Sequence, residues 1–488
     1  MSDVSVATVR RNAYVDSISL LQVSAELLSL AGVLDAALVM ATDLNRQVLH
    51  AAGLLVDDAQ TAGPNDLVIA VRASEDALAN AALEHAAGLL ATGREAAEVS
   101  GDSARPPARS LRSAHRADPS AHLAVISVPG PYAANEARQA LADGLHVFLF
   151  SDNVAVADEV DLKRLAGGRN LLVMGPDCGT SILNGVGLGF ANVVRRGRIG
   201  LVGASGTGLQ EVTSLLHQAG EGVSHAIGTG GRDLHAAVAG MTTLRTLDLL
   251  RDDPGTDVIV LISKPSDRDV AERVLKHAAR LGKPVVVCLL NTVLEPRAGI
   301  QIAANLYQAA RLAASSAAAW DGFAPEDLPR PRLRDGQAQV RGLFCGGTLC
   351  EEAAAAIHSD GHAFTDFGDD RYTQGRAHPM IDPTLRNHAI VEAGGDPRVA
   401  VLLLDVILGL GAHPDPAGAT VPAVREALAT ARAAGRELTV LAHVVGTDRD
   451  PQGLAQQEAT LRSAGVHVFR SNYHAAVAAS LLVESVAV

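Results

Sequence analysis

The chain has 488 residues, 48% of them hydrophobic and only 3% aromatic, and its 41 Lys and Arg against 54 Asp and Glu give a formal net charge of −13. That length exceeds what one core can organise, so three or four domains are expected. Cores poor in aromatics must be built from Val, Leu, Ile and Ala, which suits parallel strands covered by helices. An acidic chain repels polyphosphate backbones, so nucleic acid is excluded as the expected partner. The four cysteines, Cys178, Cys288, Cys345 and Cys350, form no Cys-x-x-Cys pair and no His cluster has zinc spacing, so no metal site is expected. The first residues lack the apolar stretch of a signal peptide, and the apolar tail from Ala475 is short and contains Glu484. A cytoplasmic protein without a membrane partner is the expectation.

In chain order, residues 5–10, 36–41 and Leu67–Val71 read as strands, with a helical pattern from about Ser17 to Ala31. A long Ala/Leu helix follows Ser74, a plausible N-cap with Glu75 and Asp76 in its first turn. This predicts a small βαβ-type domain over 1–98. Residues 94–117 lack periodicity, hold Pro106-Pro107 and five arginines, and read as a solvated connector, or alternatively as a basic lip over an anion. From His122 the pattern is α/β: strands LAVISV, HVFLF and Asn170–Met174 each end at a turn, the last at Gly175-Pro176-Asp177-Cys178-Gly179-Thr180. Further strands are predicted at 199–204, 257–263 and 283–288, a boundary over the Ala/Pro/Arg-rich 310–338, and a last domain from Val340. The expected fold is α/β, with several doubly wound parallel-sheet domains in tandem, Rossmann-like and flavodoxin-like. The expected boundaries are 1–98, 118–194, 195–325 and 338–488. Ligands of such sheets sit at the carboxyl ends of the strands.

One offset relates two of these domains. Adding 141 carries Gly206, Thr207, Glu211, His217 and Gly220 onto Gly347, Thr348, Glu352, His358 and Gly361, and Val258, Val260 and Leu261 onto Val399, Val401 and Leu402. It also places Lys264 opposite Asp405. A duplicated strand, Gly-Thr turn and helix is the simplest explanation. A helix that starts on such a turn offers unpaired N–H groups and the positive end of its dipole to an anion. A Gly-Thr junction also serves merely to make a tight turn; the second copy tips the reading toward anion binding.

The runs Met174–Gly179, Gly200–Thr207 and Ile227–Asp233, with Asp248–Pro254 and the strand after it, resemble the α subunit of succinyl-CoA synthetase over about residues 120–290. A resemblance to the FdrA family, long members of the acyl-CoA synthetase superfamily, covers nearly the whole chain. It rests on Tyr14–Ser19, Gly203–Thr207, Gln374–Asp382, Leu408–Asp415 and Gly446–Gly453. The superfamily's two helix ends hold the phosphate of a phosphohistidine, which here implies the helices starting at Ser205-Gly206-Thr207 and Gly346-Gly347-Thr348. Two departures stand out: residues 291–299 lack the synthetases' loop histidine, and Ala41–Asn45 stands in place of the Gly-rich CoA loop. No ATP-grasp domain is evident.

The FdrA resemblance therefore implies an acyl or carbamoyl transferase in ureide (allantoin, purine nitrogen) breakdown. The exchange would be oxalurate plus phosphate for oxamate plus carbamoyl phosphate, with companion subunits in a hetero-oligomer or a homo-oligomer. Phosphate and carbamoyl phosphate are the expected substrates, no cofactor is certain, and CoA binding is left open. Ser205, Gly206, Thr207, Gly208, Gly346, Gly347 and Thr348 are the phosphate-binding candidates. Asp177, Cys178, Gly179, Gly231, Arg232, Arg376 and His378 are those for the rest of the substrate. Lys264, Asp405 and His413 are the catalytic candidates. Arg232 pairing with Asp233, Asp405 as an N-cap, His413 as a surface ring and Cys178 and Cys345 as buried small side chains are the bland alternatives. The alternative functions are an acyl-CoA synthetase with its nucleotide-binding part on another chain, and a non-catalytic metabolite-binding scaffold.

Overall fold

The computed structural model describes residues 3–13, 15, 17–28, 30–99, 108, 110–314, 320, 328–329, 331–357, 361–373 and 377–484. They divide into two compact units: residues 1–107 with 374–377, and residues 108–373 with 378–488.

In the first unit the strand Leu67–Ala73 lies between Val4–Arg10 and Val33–Met40, antiparallel to both. The expected βαβ pairing is corrected, because the third strand inserts between the other two. Its side chains explain the position: Leu67, Ile69 and Val71 pack against Leu20, Leu27 and Ala79 on one face, and Val68 and Ala70 against Leu49 and Ala59 on the other. The long helix spans Asp76–Val99. Leu78 and Ala79 donate to the Glu75 carbonyl while the Ser74 N–H is tied to Gly32, so Glu75 and not Ser74 is the capping position. Part of the expected connector is also helical, since Leu111–Ala117 is started by a Ser110–Ser113 capping box.

The three α/β segments expected from the sequence share the second unit. Its first sheet is Leu123–Ile126, His146–Leu149 and Val173–Met174, all parallel. Residues 180–189, expected in the same segment, instead form a hairpin on the edge of the next sheet, where Ile182 and Leu183 pair with Ala226 and His225. That next sheet runs Ile300–Ile302, Val285–Leu289, Val258–Ser263, Arg196–Ala204 and Val223–Gly228 before the hairpin. In strand order this is 5-4-3-1-2. The last sheet, Ala363–Asp366, Gln339–Phe344, Val399–Ile407, Thr439–Val445 and His467–Phe469, runs 2-1-3-4-5. The topologies are the same, as the fixed offset predicts.

The registers differ by two residues: Val260 faces Leu201, but Val401 faces Val340 rather than residue 342. An even shift leaves every side chain on its own face. One hydrophobic cluster joins Leu201, Val260 and Leu209 of the first repeat to Phe344, Leu349, Val401 and Leu441 of the second. Helix Gly206–Gln218 runs through that shared core, buried from Thr207 to His217. No described helix is long and apolar enough to cross a membrane.

Candidate active site

The chemistry-bearing residues of the second unit follow the carboxyl ends of its parallel strands. Asp152 comes after His146–Leu149, Asp177 after Val173–Met174, Ser205 and Gly206 after Arg196–Ala204, and Lys264 after Val258–Ser263. Gly347 comes after Gln339–Phe344, and Asp366 ends Ala363–Asp366. Parallel strands deliver side chains to one edge in this way.

The two repeated helix starts meet. Ser205 Oγ and Thr348 Oγ1 share a hydrogen bond of 2.6 Å, and a Cβ on Gly346 would stand 2.9 Å from Thr207 Cβ. Ser205 corresponds to Gly346 and Thr207 to Thr348 under the offset, so the contacts are reciprocal, as around a pseudo-twofold axis. Not every expected phosphate donor is free. Ser205 Oγ caps its own helix by accepting from the Gly208 N–H at 2.9 Å, and the Gly346 N–H donates to Asp405 Oδ2 at 2.8 Å. Gly208 and Gly346 are therefore corrected from phosphate donors to closed positions. Gly206, Thr207, Gly347 and Thr348 keep first-turn N–H groups of the kind that a helix leaves unpaired, and of these Gly206 and Gly347 are the half-exposed pair. The helix Gly130–Ala142 starts against the Asp152 and Asn153 carbonyls, which leave no room for a Cβ at Gly130.

Lys264 belongs to this site, and its ammonium group and Asp366 Oδ2 both press on Gly347 so closely that a Cβ there would collide with them. Burial pushes the Asp366 carboxyl up to about 6, against Lys264 and the Gly368 N–H, which favour its charge. The same carboxylate leads to His378: Asp366 Oδ1 and His378 Nε2 lie 3.1 and 2.8 Å from where a Cβ on Gly368 would stand. His378 Nδ1 accepts from the Met380 N–H at 3.2 Å, its ring packs on Phe190 with centroids 5.4 Å apart, and burial holds its pKa down to about 4.

Asp177 has φ 54° and an exposed side chain that protein nonetheless surrounds, as on the floor of an open cleft. Its carboxyl is pushed up to about 7, first by the surrounding protein and then by Asp370, with Asp152 adding and Lys264 and Arg232 opposing. Water in the cleft screens these charges, so the upward direction decides the argument here. Gly231 and Gly179 form part of the same wall: Asp177 Oδ2 is 3.3 Å from a Cβ position on Gly231, and Gly179 Cα is 3.9 Å from one on Gly206. Sequence reasoning missed Asp152, Asp366 and Asp370. The acid-rich run after a strand, Thr365-Asp-Phe-Gly-Asp-Asp370, was the available signal.

Other candidates have structural partners. Arg232 binds Glu159 Oε2 and the Val154 carbonyl at 3.1 and 2.8 Å. Asp233 pairs with Lys163 and receives the Thr242 and Thr243 N–H groups, so the bland alternative of an Arg232–Asp233 pair does not hold. Asp405 is corrected from a proton-transfer group. It is fully buried, its two oxygens accept from the Cys345 and Gly346 N–H groups, and Arg386 pairs with it at 3.2 Å. His413 hydrogen-bonds through its backbone to Met380 and accepts from the Asp415 N–H on Nδ1, which ties it to its own turn. Cys178 and Cys345 are buried and their thiols are pushed up by burial, the behaviour of packed side chains and not of nucleophiles. Arg376 lies outside the described residues.

A family model described as CoA-ligase matches residues 343–482, and one described as AllF, heavy metal-associated domain, matches residues 1–106. The latter stretch has no cysteine, so it lacks the thiolates that soft metal ions take. The uncharacterized protein YahF of Escherichia coli (strain K12) is 43% identical over 497 residues, 94% of this chain and 94% of YahF. The α subunit of the ADP-forming succinate–CoA ligase of Methanothermobacter thermautotrophicus is 30% identical over 178 residues, 36% of this chain but 59% of that subunit. Among solved structures, the apo dinucleotide-forming acetyl-coenzyme A synthetase 1 of Ca. Korarchaeum cryptofilum is covered over 83% and covers 75% of this chain, at 15% identity and a TM-score of 0.33, too low for residue-level comparison. Fold and paired helix starts define a member of the CoA-ligase, succinyl-CoA-synthetase-like superfamily. The chain belongs to the YahF family within it.

Proposed function

We propose that this chain is an acyl-CoA-ligase-type subunit that exchanges an acyl group between phosphate and CoA, with the nucleotide-dependent half of the ligase on another polypeptide. The observation that carries the reading is the reciprocal pair of helix starts, Gly206 and Gly347, opening beside Lys264 in a chain of this superfamily. Their N–H groups and the Lys264 ammonium suit a phosphoryl group. In the transfer, the thiol sulfur bonds to the acyl carbon and the carbon–oxygen bond to phosphate breaks. The thiol proton passes to a cleft carboxylate. Asp177, with its pKa pushed up to about 7, is suited to take it at neutral pH. The succinate–CoA ligase relatives are named as α subunits, which supports a companion chain.

One observation favours a second reading, the carbamoyl transfer implied by the FdrA-like motifs. The 291–299 loop has no histidine to phosphorylate, and a direct transfer from carbamoyl phosphate to a small acceptor needs none. The purified chain, alone and with companion subunits, is to be given acetyl phosphate with CoA, and carbamoyl phosphate with oxamate. Thioester formation supports the first reading. Oxalurate without thioester moves the function to the second, and neither product under any condition overturns both.

A further inference from the structure

His378 is a histidine whose tautomer the backbone decides. A peptide N–H can only donate, so the Met380 N–H at 3.2 Å from Nδ1 makes that nitrogen the acceptor. The proton of the neutral ring then sits on Nε2. Protonation of Nδ1 would set two donors against each other, and burial also holds the ring uncharged. In this state Nε2 has no lone pair for attack on phosphorus, so His378 does not replace the histidine missing from 291–299. It is a donor, and its position says what it donates to. Nε2 stands 2.8 Å from a Cβ position on Gly368, with Asp366 Oδ1 at 3.1 Å from the same point, while the other oxygen of Asp366 presses on Gly347 beside Lys264. One carboxylate therefore spans the gap between the second helix end and the imidazole. A Cβ at 368 would also stand 2.7 Å from the Cys345 carbonyl oxygen, so a glycine there lets the imidazole and the carboxylate come this close to the strand end.

We propose that His378 donates its Nε2–H to the acyl carbonyl oxygen of an acyl phosphate whose phosphoryl group lies at Gly347 and Lys264. This inference rests on the acyl-phosphate reading above and names the residue that recognises the acyl end. A neutral donor strengthens its hydrogen bond as the carbonyl oxygen gains charge on attack, without drawing the proton off. Phe190, packed on the ring, and the Met380 N–H hold it in the required orientation.

The test uses the full chain labelled with 15N at histidine, the His378 signals being assigned by their absence in H378Q. The expected spectrum is that of the neutral Nε2–H tautomer, and acetyl phosphate shifts the Nε2 resonance. In acyl transfer, H378Q keeps an N–H near the ε position and stays within about tenfold of the wild type. H378N, with its amide at the δ position, and H378F lose about 10²–10³-fold in kcat with a similar KM for phosphate. An Nδ1–H tautomer, no shift with acetyl phosphate, or H378F as active as the wild type overturns the proposal. If the wild type transfers no acyl group at all, the functional reading falls, and the ligand-dependent shift alone decides the role of His378.

Discussion

Ser205 Oγ and Thr348 Oγ1 lie 2.6 Å apart although 143 residues separate them in sequence. The separation is the repeat offset plus two, because the hydroxyl that caps one helix meets the second residue of the other. The reciprocal pair is Thr207 on Gly346, which carries no side chain; Thr207 Cβ lies 2.9 Å from where a Cβ at 346 would stand. The two helix starts are thereby held together by a contact that neither repeat can make alone.

This contact predicts coupling. Ser205→Ala removes both an N-cap and the partner of Thr348, and is expected to destabilise the protein by about 1 kcal/mol. Thr348→Val keeps the shape and removes the hydroxyl. The double variant should differ from the sum of the two by about 0.5–1.5 kcal/mol in urea unfolding. Strict additivity would mean that the hydrogen bond contributes nothing.

The adjacent glycines should separate stability from binding. A methyl at Gly346 meets Thr207 on a buried helix, so Gly346→Ala is expected to destabilise by about 1–3 kcal/mol through overpacking. The atoms nearest a methyl at Gly347 are the ends of the Lys264 and Asp366 side chains; Lys264 can swing away, Asp366 can yield by turning about its Gly368 hydrogen bond, and alanine favours the helix. Gly347→Ala should therefore keep the melting temperature while weakening phosphate binding more than about tenfold by titration calorimetry. Equal phosphate affinity in Gly347→Ala and the wild type would remove Lys264 and this helix end from the site.

Asp405 is expected to behave as structure. Asp405→Ala leaves the buried Arg386 charge without its carboxylate and should cost about 3–5 kcal/mol. Removing the charge as well, in Asp405→Ala with Arg386→Met, should recover part of that loss. Chemical denaturation of the three proteins checks it, and a stable, inactive Asp405→Ala would return Asp405 to the catalytic list.

Both helix starts and the repetition of the strand, turn and helix unit could be read, because Gly-Thr after an apolar strand is a local pattern and it recurs at one spacing. The offset also placed Asp405 against Lys264, but the two-residue register shift and a strand that runs on to Ile407 turn Asp405 onto buried backbone N–H groups. Lys264 leaves its shorter strand and reaches the cleft. Arg386, Glu159 and His443 were silent for a different reason. Their partners are set by tertiary packing that no local pattern encodes: Arg386 reaches Asp405 and Thr420 within its own repeat, Glu159 reaches Arg232, and His443 reaches Glu211 of the other repeat at 2.7 Å, 232 residues away.

The pH dependence of stability should identify the cleft carboxylate. The folded-state pKa of Asp177 is raised, to about 7, from 3.8. Below 3.8 the group is protonated folded or unfolded. As pH rises toward 7 the unfolded chain gives up this proton more readily than the folded one, so stability falls across that window. Asp177→Asn mimics the protonated form at every pH. It should therefore match the wild type near pH 4 and unfold at a higher temperature than the wild type at pH 8, with Asp370 and Asp152 relieved of a like charge. Thermal melts at the two pH values measure this directly. A variant no more stable than the wild type at pH 8 would mean that Asp177 titrates as an ordinary surface carboxylate, and it would then be unfit to take a thiol proton at neutral pH.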